Sequence, residues 1–499
     1  MNLASYFLDH NLATRAEKVA LRHNDTCFTF AECVAWSCRY GNALRALGVR
    51  EEDRVLIALP DIPPFAFAWF GVVRIGAVVT MMNPIVPAED WAYYLRYTRA
   101  RAVVTTAAFA AEHADVLTGV PVVRVDADAG YLAGLEDTCA LGDTSVDDPA
   151  VWLFSSGSTG KPKGCVHSSG DFIYNTEHYA KQVLGIRESD VTVSVAKLFF
   201  GYATGTNLLF PWAVGATACL FDERPSPESL FAAIARFRPT IVTNVPTMIH
   251  RMLEHPEAGE ADLLSLRMVL SAGEALPAEL YRRWMTRTGV EILDGIGSAE
   301  LFHIYLTNYP GEVRVGTLGK PVPGYEMRIV GPDGLEVAPG DIGVLHVRGG
   351  SNAIGYHGDR AKSRATFRGD WTATGDQFRV DADGYYVYCG RGDDLVKVGG
   401  VYVSPTEVEN CLLTHESVRE VAVIGFEREG LMLTAAFVTT TGEGSPTLAR
   451  DLQEHVKTRL APHKYPREVR FLVDFPRNDR GKVARAELRR RIEGERDVS

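Results

Sequence analysis

The sequence predicts an α/β protein in two parts: a large N-terminal domain of αβα-layered subdomains plus a small β region, and a smaller α+β C-terminal domain. Three observations carry this reading. The chain has 499 residues, too many for one core, since cores stop growing near ~250–300 residues. Short β-branched runs alternate with helical patterns over most of the length, which implies a largely parallel sheet with helices on its faces. After about residue 310 the texture shifts to short alternating strands broken by Gly-Pro and Asp-Gly turns, the mark of a small antiparallel region.

Taken in order, VLIALP (55–60) reads as a strand, PPFAFAWFGVVRIG (63–76) as a helix and AVVTM (77–81) as the next strand. The amphipathic AEDWAYYLRYTRA (88–100) is a helix and AVVTT (102–106) a strand. The rhythm returns in TACLFD (217–222), a helix over 227–237, IVTNV (241–245), a helix around 247–253 and MVLSAG (268–273). The short alternating strands are RVGTLGKPVPGYEMRIVGPDG (314–334), GVLHVRGG (343–350) and GYYVYCGR (384–391). From Val401 a βαβ-like tail begins, where Ser404 as N-cap, Pro405 at the first helical position and Glu407 form a capping box. The polar, glycine-rich GRGDDLVKVGG (390–400) is the expected boundary, giving domains 1–390 and 395–499 around a hinge at 391–394.

Composition narrows the function. Apolar content of 46% with 23% charged residues describes an ordinary soluble chain. A formal charge of −11 argues against a nucleic-acid surface. Eight scattered cysteines without a CxxC pair suit reduced thiols. No signal peptide is read at the N-terminus. The longest apolar run (65–82) contains Arg74 and reads as a buried helix–strand segment, so the expectation is a cytoplasmic protein without a membrane span.

Four clusters carry chemistry. In SSGSTGKPKG (155–164), Gly157 and Gly160 let successive N–H groups converge on an anion, Ser155, Ser156, Ser158 and Thr159 add hydroxyls, and Lys161 and Lys163 add charge. The loop fails the Walker spacing, because two residues separate Gly157 from Gly160-Lys161 and Pro162 follows. It suggests polyphosphate, and a surface turn is the plain alternative. ILDGIGSAE (292–300) brings Ser298 and Glu300 to a strand end, where one carboxylate can serve Mg²⁺ together with substrate phosphates, or simply be solvated. TATGD (372–376) offers Asp376 to a ribose or to a turn. Lys482 in FPRNDRGKVAR (475–485) reads alone as a surface lysine.

Order and spacing say more than any one cluster. SSGSTGKPKG, SAGE (271–274), GIGSAE, TGD, GRGDDLVKVGG and PRNDRGK reproduce, in sequence, the motif series of the acyl-adenylating superfamily. The resemblance covers nearly the whole chain, and KLFFGYATG (197–205), SAGEALP (271–277), ILDGIGSAELFHIYLTN (292–308) and GKPVPGYEMRIV (319–330) look most like benzoate-type aryl-CoA ligases. It implies an ATP-dependent enzyme using Mg²⁺ and coenzyme A, which activates an aromatic or bulky carboxylic acid through an acyl-AMP. By resemblance, the 155–164 loop holds the β- and γ-phosphates, with Glu300 on Mg²⁺ and Ser298 near the phosphates. Adenine lies against Ala272, Gly273, Glu274, Ala275 and the run Asp294, Gly295, Ile296, Gly297, while Asp376 takes the ribose hydroxyls beside Arg391. Lys482 bridges the carboxylate and α-phosphate, Asp393 is the hinge, and Gly399 and Gly400 line a channel for the CoA thiol. Phe199, Phe200, Gly201, Tyr202, Gly297 and His303 are implied to form the acyl pocket, although aromatic residues and a satisfied histidine fit a core as well. Gly201 and Gly205 suggest an acid larger than benzoate.

One departure matters. The family usually has Thr before the motif's Glu, and here Ala299 stands there. Losing one preorganised donor can cost on the order of 10²–10³ in rate. Two alternatives therefore accompany the full ligase: an enzyme that makes the thioester from an acyl-AMP supplied by a partner adenylating enzyme, and an adenylation enzyme loading a carrier protein. The basic end RAELRRRIEGERDVS carries no carrier domain, which favours free CoA, and a monomer or homodimer is expected.

Overall fold

The computed structural model describes residues 1–156, 161–259, 261–392, 396–398, 401–428, 431–477 and 483–494. Two large sheets dominate. A seven-stranded sheet runs Gly355–Tyr356, Pro162–Ser168, Pro149–Ser156, Val78–Met81, Arg54–Ala58, Ala102–Thr105 and Val122–Arg124. Its last five strands are mutually parallel, and the other pairings are antiparallel. A nine-stranded sheet has Val191–Ser194, Ile241–Asn244, Met268–Ser271 and Ile292–Gly297 as parallel neighbours. The strand–helix–strand rhythm of the sequence is this pair of sheets.

The helix Pro63–Arg74 begins with prolines in its first turn, where a missing N–H costs nothing. All of it but Pro64 is buried, because it lies in the core of the N-terminal part rather than over its surface. Arg74, the charge in that apolar run, is buried against Asp9 and the Ser37 hydroxyl. Trp212 stacks on Phe70 at 5.0 Å and meets Phe30 edge-on in the same core.

The antiparallel region is Glu326–Val330, Gly343–Arg348, Trp371–Val380, Phe367–Arg368 and Tyr386–Arg391. Asp376 lies within the long strand Trp371–Val380, where Gly375 at φ +77° lets the chain kink and continue pairing. The C-terminal part has its own cores. Strands Val418–Arg428 and Leu431–Thr440 form a long antiparallel pair, and helix Pro446–Lys457 crosses to the parallel strand Glu468–Phe471. Half of the expected capping box forms: Ser404 Oγ accepts from Glu407 N–H, while the Glu407 carboxylate pairs with Lys464. Among the described residues no helix is long and apolar enough to cross a membrane.

Candidate active site

Strand Pro149–Ser156 enters the glycine-rich loop and Pro162–Ser168 leaves it antiparallel, with Ser155 opposite Lys163 and Ser156 opposite Pro162. Gly157, Ser158, Thr159 and Gly160 lie outside the described residues. Lys161 pairs with Glu89 at 2.9 Å and Asp90 at 3.4 Å, in the first turn of helix Ala88–Thr98. Lys163 pairs with Asp359 at 2.7 Å. Both lysines thus meet carboxylates flanking the loop. Tyr93 Oη donates to the Pro162 carbonyl at 2.6 Å and Gly164 N–H donates to Tyr97 Oη at 3.2 Å, so the exit strand is gripped by one helix.

Strand Ile292–Gly297 runs into the tight turn Ala299–Leu301. Strands Pro149–Ser156 and Trp371–Val380 both pack against that turn. On it, Glu300 Oε1 accepts from Tyr356 Oη at 2.5 Å and lies 3.8 Å from Cys165 Sγ, leaving Oε2 open among the described residues. Ser298 Oγ is buried with no hydrogen-bond partner among them. An open carboxylate oxygen beside a buried hydroxyl fits an ion that takes most of its remaining oxygens from phosphates. The next residue in the chain but one, Phe302, has φ +65° and ψ −59°, and His303 N–H donates to the Leu301 carbonyl across it. This is a γ-turn of the rare, strained hand.

The nucleotide candidates form two clusters. Ser271 ends its strand opposite Asp294 and its Oγ donates to Asp294 Oδ1 at 2.8 Å. Burial pushes the Asp294 carboxyl up to about 8, with the Ser271 bond acting the other way. Ala272 is buried, Ala275 is exposed, and Gly273 between them has φ +87°. Glu274 accepts from the Thr247 N–H at 3.1 Å and Oγ1 at 2.7 Å, capping helix Pro246–Glu254. Gly295 and Ile296 pair with Thr307 and Leu306. In the second cluster, Asp376 is opposite Arg391, with Oδ1 3.5 Å from the guanidinium.

Two of the acyl candidates, Tyr202 and Gly297, lie against a third, His303. Its Nε2 lies 3.0 Å from the Tyr202 carbonyl, so Nε2 carries the proton and Nδ1 is a buried acceptor with no partner among the described residues. Burial pushes the ring down to about 4, so it is neutral at pH 7. Tyr202 Oη is likewise buried and unpartnered among them. Gly297 is packed so closely that an added Cβ would lie 2.5 Å from the His303 carbonyl oxygen. The expectation that Gly201 and Gly205 make room for a larger acid is corrected here. A Cβ on Gly205 would fall 2.5 Å from His303 Cδ2, and one on Gly201 3.1 Å from Leu153 Cδ1. The room is already taken by the protein's own side chains. Phe199 and Phe200 meet at a tilt, 4.6 Å between ring centres, on the preceding loop, Phe200 partly exposed.

Asp393, Gly399, Gly400 and Lys482 lie outside the described residues. Four residues that sequence reasoning missed help hold the site. Tyr356 and His167 contact the Glu300 turn, Phe302 strains it, and Asp61 seats the loop that carries Phe199 and Phe200 by accepting the Leu198 N–H at 2.8 Å. Burial pushes Asp61 up to about 7, opposed by neighbouring Lys197. Only strand alternation on 162–168 hinted that His167 and Cys165 share a face.

Comparison with known proteins places the chain in a family. Residues 8–357 match the AMP-binding enzyme family and residues 407–482 match the AMP-binding enzyme C-terminal domain, and the chain belongs to this family. It is 42% identical to a benzoate–CoA ligase of Thauera aromatica, over 98% of this chain and 95% of that one. The crystal structure of an anthranilate CoA ligase in complex with anthranoyl-AMP superposes with a TM-score of 0.94 at 38% identity, covering 98% of this chain and 96% of that one. A benzoate CoA ligase from Burkholderia xenovorans LB400 gives 0.91 at 40% identity, covering 98% and 100%.

Proposed function

We propose that this chain is an AMP-forming aryl acid–CoA ligase for a benzoate-like carboxylic acid. A carboxylate oxygen attacks the α-phosphorus of ATP and pyrophosphate leaves; the CoA thiol then attacks the acyl carbonyl and AMP leaves. The observation that carries the reading is the meeting of three parts at one turn: the Glu300 carboxylate, the strand entering the phosphate loop, and the strand bearing Asp376. Ser155, Ser156, Gly157, Ser158, Thr159, Gly160, Lys161 and Lys163 serve the β- and γ-phosphates, the two lysines exchanging their carboxylate partners for phosphate. Glu300 would hold Mg²⁺, whose charge would offset that of a leaving pyrophosphate. The segments 272–275 and 294–297 face adenine, and Asp376 with Arg391 takes the ribose. Phe199, Phe200, Gly201, Tyr202, Gly297 and His303 enclose the aryl group, where Tyr202 Oη and His303 Nδ1 are the polar atoms open to a ring substituent. Lys482 bridges carboxylate and α-phosphate, and the part from 395 onward turns about Asp393 to bring Gly399 and Gly400 to the thiol channel.

The test is pyrophosphate exchange and CoA-thioester formation, followed separately over a panel of substituted benzoates. Exchange driven by at least one aryl acid, followed by its thioester, is expected; thioester formation only from supplied acyl-AMP would overturn the full ligase. That second outcome is the reading Ala299 favours, because the side chain before Glu300 offers no hydroxyl to the AMP phosphate.

A further inference from the structure

We propose that His167, anchored by Asp171, is a positioning residue for the Glu300 turn, so that the strand leaving the phosphate loop also sets where the metal carboxylate stands. The inference rests on the reading of Glu300 as the Mg²⁺ residue.

His167 and Cys165 are two apart on strand Pro162–Ser168 and therefore face the same side. Cys165 lies against Glu300, and its cross-strand partner is Tyr356, the other group on that carboxylate. His167 Nε2 stands 2.6 Å from the carbonyl oxygen of Ala299. A carbonyl only accepts, so Nε2 donates. On the opposite side Nδ1 is 2.7 Å from Asp171 Oδ2. Asp171 already accepts the Ser168 N–H at 3.1 Å on that oxygen and the Ser168 hydroxyl at 2.8 Å on the other. The ring is thus held between the Ala299 carbonyl and the Asp171 carboxyl, and the pair is buried, with side-chain exposures of 0% and 7%. The alanine side chain at 299 has no polar atom, so the backbone carbonyl is what the histidine can hold. The Glu300 carbonyl is fixed separately by Ala353 N–H at 2.9 Å. Two backbone anchors and one phenol thus fix the carboxylate, and one anchor belongs to the strand that begins at Pro162.

The test compares the full chain with His167→Ala, His167→Gln and Asp171→Asn. Pyrophosphate exchange is titrated with Mg²⁺, thioester formation is measured from supplied benzoyl-AMP and CoA, and amide hydrogen exchange is read over 298–303. His167→Ala is expected to raise the Mg²⁺ midpoint ~10-fold or more, as loss of a ligand's orienting partner does. Thioester formation should stay within about 3-fold, and amide protection over 298–303 should fall without added metal. His167→Gln, which returns a donor to Ala299, should recover most of the midpoint; Asp171→Asn should shift it in the same direction by less. An unchanged midpoint and unchanged protection in His167→Ala, or equal losses in both half-reactions, would overturn the proposal. If that variant does not fold, an unshifted midpoint in both milder variants overturns it. Wild-type enzyme that exchanges normally while the variants behave like it sinks this inference alone; no exchange by the wild type sinks the functional reading as well.

Discussion

Tyr356 Oη and Glu300 Oε1 stand 2.5 Å apart, and the phenol is the donor, because burial and the adjacent carboxylate hold its proton far above the ordinary range. Tyr356→Phe removes a charge-assisted bond worth about 1.5–3 kcal/mol from a half-buried carboxylate. The variant should unfold at a lower denaturant concentration and lose more pyrophosphate exchange than thioester formation. Equal loss of the two half-reactions would show that the bond serves the fold alone.

Gly205→Ala sets a methyl 2.5 Å from His303 Cδ2 in a packed interior. Overpacking of this kind costs typically 1–3 kcal/mol. The ring must move, so the order of preference among substituted benzoates should change along with a lower melting temperature. A stability loss with the preference order intact would separate Gly205 from the acyl pocket.

Asp294 carries a pH signature. Its carboxyl is raised by burial from 3.8 to about 8, so between those values the folded chain keeps a proton that the unfolded chain has released. Folding then binds a proton, and this group lowers stability as pH rises through the window, levelling above about 8. Asp294→Asn can still accept from Ser271 and has no proton to lose. Its stability relative to wild type should therefore climb from pH 4 to 8, measured by chemical denaturation at several pH values. A constant difference would rule out the buried neutral acid.

Lys482→Ala should suppress acyl-AMP formation by ~10²-fold or more, as loss of one preorganised charge at the reacting centre does, and spare thioester formation from supplied acyl-AMP. Ala299→Thr should speed exchange if the hydroxyl is what the turn lacks; an unchanged rate would leave the backbone anchors as sufficient.

Much of this was legible in the chain. The helix Pro227–Phe237 and strands such as Ile241–Asn244 follow from period and punctuation alone, since proline at a helix start and β-branched runs are local signals. The candidate site was proposed from an ordered series of motifs, because Asp294, Glu300 and Asp376 sit in short, distinctive strings. What held those residues was not. His167 reaches Ala299 over 132 positions and Asp61 reaches Leu198 over 137, and such pairings exist only after the sheets form. Gly205 misled for the same reason: a glycine signals missing side-chain volume, and only the fold reveals that His303 fills it.

The strained turn at Phe302 ties two properties that selection could otherwise adjust apart. With φ at +65° and its ring against Phe172 at 4.1 Å, it leaves no slack between Glu300 and His303. A change that widens the aryl pocket by shifting His303 pulls on the carboxylate three residues earlier. If the proposed pocket is right, drift toward new acids should proceed through Phe199 and Phe200 on the loop before helix Gly201–Thr204, while His303 stays yoked to Glu300.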